Sequence, residues 1–67
     1  MYPYSEEIEE SMYLFSQTLN ERDLRHYAGL EASKLGHGGI TYISQVLNID
    51  FKTVQKGLVE IKKKTSE

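Results

Sequence analysis

The residues best placed to do chemistry lie near the end of the chain: Phe51, Lys52, Gln55 and Lys56. Positions three and four apart share one side of a helix, and these two pairs of neighbours lie four residues apart. In a DNA major groove, lysine donates to guanine O6 and N7, and glutamine pairs with the adenine edge. Phe51 has two readings. It touches a thymine methyl or a sugar, or it closes the edge of the core against a neighbouring helix or a second subunit. A second group surrounds Gly36-His37-Gly38-Gly39. The Gly38 and Gly39 amides, with Thr41 and Tyr42, are suited to hold a phosphate where a helix begins, and Lys34 and His37 flank that loop. Thr53 joins them as a predicted phosphate contact. A helix cap followed by a flexible joint accounts for the same glycines. A nucleotide-binding P-loop does not, because no strand precedes the glycines and no Gly-Lys-Ser/Thr follows.

Catalytic chemistry finds little to work with. His26 and His37 are the only histidines, and neither has a serine, threonine or acid at a catalytic spacing. Glu31 is predicted to face inward, where a single acid is more often paired than catalytic. There are no cysteines, which removes disulfides and thiolate metal sites. No metal-ligand set or cofactor motif is present, and the chain reads as a non-enzyme.

The elements that position these residues are all helical. Ser5 is a predicted N-cap, and Ile8, Met12, Phe15 and Leu19 recur at helical spacing, giving α1 over 5–18. Asn20 caps α2 over 21–35, whose inward face is Leu24, Tyr27, Ala28, Glu31 and Leu35, with Leu30 on the flank. Gly36 is the predicted left-handed end of that helix. Ile40, Ile43 and Leu47 mark α3 over 40–47. Asn48-Ile49-Asp50 is a tight break, with Asn48 left-handed and Asp50 as the next N-cap. Val54, Leu58 and Ile61 then make the inward stripe of α4 over 51–62, and 63–67 read as a frayed tail. Gly57 interrupts α4 at a cost of about 1 kcal/mol relative to alanine, which implies close approach of α2 or α3. The predicted fold is therefore an all-α, small four-helix domain containing a helix-turn-helix motif at α3–α4. Ser44 is the small residue that lets α4 come near, and Ile49 plugs the turn. An ordinary helical hairpin is the alternative.

Sixty-seven residues make one domain with a thin core. The net charge of −2 conceals a division. Residues 1–33 carry Arg22 and Arg25 against seven carboxylates, whereas residues 34–67 carry six lysines against three. An anionic partner for the second half is one explanation, and a solvated lysine-rich tail is the other. No run of residues is apolar enough for a membrane span, and the first residues lack a leader pattern, so the expected location is the cytoplasm.

The string Leu19-Asn20-Glu21-Arg22, then Glu31-Ala32, then Leu35-Gly36-His37-Gly38-Gly39-Ile40, then Thr53-Val54-Gln55-Lys56-Gly57-Leu58, resembles the N-terminal region of the Rhodopirellula-type DDE transposases of bacterial insertion sequences. The resemblance spans residues 19–61. It implies a helix-turn-helix module that recognises transposon-end DNA in front of a metal-dependent catalytic domain. That catalytic domain has no counterpart in these 67 residues, so the sequence reads as a truncated gene, an isolated domain or a stand-alone relative. The family pattern at the start of α4 resembles Ser-Arg-x-Thr-Ile-Arg-Arg-Gly. Here Asp50 stands for the serine, and Phe51, Gln55 and Lys56 stand for arginines, which removes guanidinium forks. Double-stranded DNA is thus the expected partner. The rival expectation is a folded vestigial or interaction domain that forms a homodimer through its acidic first helix and exposed Tyr2, Tyr4 and Phe51.

Overall fold

In a computed structural model, which describes residues 3–65 and the side chains of 3–63, Ser5 opens α1 as expected. Its hydroxyl accepts the Ile8 amide at 3.2 Å, and α1 runs Glu6–Ser16. The helix closes earlier than 18, because the Thr18 and Leu19 amides turn back onto the Phe15 and Ser16 carbonyls. These tighter bonds end an α-helix. The inward face also differs from the Ile8, Met12, Phe15 and Leu19 stripe. Met12 and Ser16 are buried, while Ile8 and Phe15 are 48% and 51% exposed. The roll is set by contacts with the distant Tyr42 and Tyr27, the latter meeting the Phe15 ring edge-on with centroids 5.1 Å apart. The Tyr42 hydroxyl donates to Glu9, and Ser16 is small enough to sit against its neighbour, its hydroxyl donating to the Tyr13 carbonyl at 2.6 Å. Tyr4 is half-buried rather than exposed: its ring lies 6.1 Å from that of Tyr42 and its hydroxyl reaches Glu31. Tyr2 falls outside the described residues.

α2 runs Glu21–Leu35, with Asn20 accepting the Asp23 amide at 2.8 Å. It buries Ala28, Gly29 and Ala32. Gly36 ends it with φ 69° but ψ −135°, not the left-handed helical pair expected. That combination is open to glycine alone and swings the chain outward before α3. α3 begins at Gly39, one residue before the expected start, and ends at Leu47. A Cβ on Gly39 would lie 2.5 Å from the Ala32 carbonyl oxygen, so the first residue of α3 is seated directly on α2.

The α3–α4 connection follows the turn chemistry. Asn48 adopts φ 57°, ψ 49°, and the Ile49 amide donates to the Ser44 carbonyl at 3.0 Å. Asp50 caps α4, its carboxylate accepting the Lys52 amide at 2.9 Å. α4 spans Phe51–Thr65, and the tail expected to fray is helical through Thr65. Nothing after Gly57 breaks a helix, and lysine is a good helix former.

Met12, Ala28, Ala32, Ile43, Leu47 and Val54 form the core, ringed by partly buried Tyr4, Leu24, Tyr27, Leu35, Ile40 and Ile49. α2 is central, packing on both α3 and α4, while α1 rests on α3. At the α2–α4 crossing the backbones touch. A Cβ on Gly57 would lie 1.8 Å from the Arg25 carbonyl oxygen, and one on Gly29 would lie 2.5 Å from the Gly57 carbonyl carbon. The expected close approach at Gly57 is therefore made by α2. The four elements are all α-helices, with no strand among the described residues. No helix among them is long and apolar enough to cross a membrane.

Candidate nucleic-acid interface

The first two turns of α4 present Phe51, Lys52, Gln55 and Lys56 on the surface. Val54 and Gly57 turn inward between them, which is why the four remain exposed. Lys52 and Lys56 lean toward the start of α2. With half-buried Thr53 they line a cleft of about 550 Å³ that is closed by Glu21, Leu24, Arg25, Ile49 and Asp50. Neither lysine has an ion-pair partner among the described residues. Phe51, 49% exposed, stands away from that cleft.

The residues read as a phosphate site divide. His37, Gly38, Gly39, Thr41 and Tyr42 line a second depression of about 490 Å³ beside Pro3 and Gln45. His37, Gly38 and Thr41 are exposed there. The others are committed within the protein. Gly39 is buried and its amide donates to the Gly36 carbonyl at 2.9 Å. The Tyr42 hydroxyl donates to Glu9, and burial together with that bond pushes its pKa up to about 12. An anion arriving at this hydroxyl would meet the Glu9 carboxylate. Lys34 pairs with Glu31 at 3.1 Å, and Thr53 belongs to the other cleft.

A network that the sequence did not single out fastens α4 beside its exposed face. One Glu60 carboxylate oxygen receives the Arg25 guanidinium at 3.1 Å and lies 3.0 Å from the His26 ring. The Arg25 hydrogen bond holds the Glu60 carboxyl below its ordinary value of 4.5, with a smaller contribution from His26. His26 is thereby a structural partner of an acid some 34 residues away. Glu31 is paired too, taking Tyr4 and Lys34 on its two oxygens. Burial, then the Glu31 charge, raises the Tyr27 pKa alongside.

No family model, curated protein or solved structure matches this chain. Among the described residues no three or more His, Cys, Asp or Glu side chains converge as a metal site would require. What the arrangement can do is electrostatic and steric. It offers two unpaired ammonium groups, an amide and an aromatic ring on a helix whose position is set by main-chain contact.

Proposed function

We propose that the chain is a DNA-binding helix-turn-helix module in which α4 enters the major groove and α3 braces it. One observation carries this reading: Lys52, Gln55 and Lys56 are exposed together on the first two turns of α4, directly after a capped three-residue turn. That is where such modules carry their base contacts. Lys52 and Lys56 neutralise phosphates or donate to guanine, Gln55 reads adenine, and Phe51 meets a thymine methyl. His37 and Thr41, exposed near the start of α3, are the phosphate contacts on the bracing side. The resemblance to insertion-sequence transposases makes transposon-end DNA the natural target. With lysines in place of arginine forks and a net charge of −2, binding is expected to be weak and strongly salt-dependent.

Fluorescence anisotropy with a mixed-sequence duplex, titrated at rising salt, tests this. Affinity is expected to fall with salt, and Lys52→Ala/Lys56→Ala to flatten the log–log slope by about two units while leaving helicity intact. Binding that is absent at low ionic strength, or indifferent to salt, overturns the proposal.

A further inference from the structure

Two exposed apolar strips lie outside the core, and they are bordered by opposite charge. On α4, Phe51 and Val59 are 49% and 54% exposed. They stand two turns apart on the outward side with Gln55 between them, beside the unpaired Lys52 and Lys56. On α1, Leu14 is 59% exposed on the side turned away from buried Met12, whereas Phe15, on the flank of Met12, meets the Tyr27 ring edge-on with centroids 5.1 Å apart. Glu7 and Glu10 precede Leu14 by seven and four residues, share its face, and are exposed. Scattered surface apolar residues need no explanation. A leucine edged by carboxylates on one helix and an apolar strip edged by ammonium groups on another are complementary surfaces.

α1 rests on α3 while α4 packs on α2 and α3, so one chain does not lay its Leu14 on its own α4 strip. We propose that a second copy of this chain covers them. α1 of one protomer lies along α4 of the other, with Leu14 against the partner's Val59 and with Glu7 and Glu10 against the partner's Lys52 and Lys56. A two-fold axis makes this contact twice, giving a closed dimer. The lengths agree: α1 is about 16 Å long and the Phe51–Val59 strip about 12 Å at the helical rise. The same lysines carry the proposed DNA contact, so dimer and DNA complex exclude each other. That exclusion rests on the DNA reading, whereas the self-association does not.

Sedimentation equilibrium of the full chain is the test. The wild-type chain associates, and more weakly as salt rises. Glu7→Lys/Glu10→Lys and Lys52→Glu/Lys56→Glu each weaken association about tenfold. An equal mixture of the two double variants recovers wild-type affinity, because both contacts of the mixed pair are again opposite in sign. All four positions are exposed, and circular dichroism checks that each variant stays folded. A chain that is monomeric throughout, or a dimer indifferent to both reversals, overturns the proposal. Leu14→Asp, which lies off α4, supplies the second arm. It abolishes the dimer and raises affinity for duplex DNA despite its added negative charge. A dimer with no DNA binding at any salt leaves the self-association standing and removes the DNA reading. DNA binding without a dimer does the reverse.

Discussion

α4 and α1 are held to the rest of the molecule by opposite means. α4 meets α2 backbone to backbone at Gly29 and Gly57, and Val54 beside that seam is wholly buried. α1 is held by one buried methionine, one buried serine, the edge-on contact of Phe15 with Tyr27 and the Tyr42–Glu9 hydrogen bond, with most of its large apolar side chains half-exposed. The first attachment turns on two missing side chains, with Val54 and the Arg25–Glu60 pair beside them, and the second rests on side-chain partners alone. Stability within so small a chain is therefore uneven, and α1 is the element expected to open first.

The largest effect is expected at Gly57. Gly57→Ala places a methyl group 1.8 Å from the Arg25 carbonyl oxygen, and no side-chain rotation relieves it. The expected loss is about 3 kcal/mol or more, read from urea denaturation, against the gain of about 1 kcal/mol that alanine brings to an open helix. An unchanged midpoint would mean that the helices do not cross this closely.

Tyr42→Phe sharpens the other side. It removes the donor to the Glu9 carboxylate and is expected to cost about 1.5 kcal/mol, the range for a hydrogen bond to a charged group. The loss should be local. Hydrogen exchange is expected to speed up in α1 while α2 and α4 keep their protection. Uniform acceleration would show that α1 and the α2–α4 pair unfold as one unit.

The smallest effect lies at Glu60, where direction and pH window matter more than size. Its carboxyl is lowered in the folded chain, so its stabilisation is present above about 4.5, the ordinary value, and is lost as pH falls through the lower folded value. The difference in melting temperature between wild type and Glu60→Gln is expected to shrink over that acid range. A difference that stays constant into acid would show that the charge on Glu60 contributes nothing to the α2–α4 attachment.

The two attachments also differed in how legible they were. The left-handed Asn48, the Asp50 cap, the inward Val54 and the close approach at Gly57 are local signals, each decided by a residue and its near neighbours. They could be read directly, and so could the exposure of Lys52, Gln55 and Lys56. The face of α1 could not. Periodicity allows several rotations of a helix that carries Ile8, Met12, Tyr13, Leu14 and Phe15, and the choice was made by Tyr42, more than thirty residues away. Two of the phosphate residues have partners within the protein: Tyr42 meets the distant Glu9, whereas Lys34 meets Glu31 only one turn before it. The Arg25–His26–Glu60 network left no local trace at all, since its members meet only once α2 and α4 have packed. α4 runs past its expected end at 62, because lysine continues a helix.

The glycine seam has a consequence for what the outer surface of α4 is at liberty to become. Because main-chain atoms make the joint, residues 51, 52, 55 and 56 take no part in it. They can be exchanged for other helix formers without changing the direction in which the helix points. Aim and address are separate properties of this molecule, one written in two missing side chains and the other in four that can be rewritten.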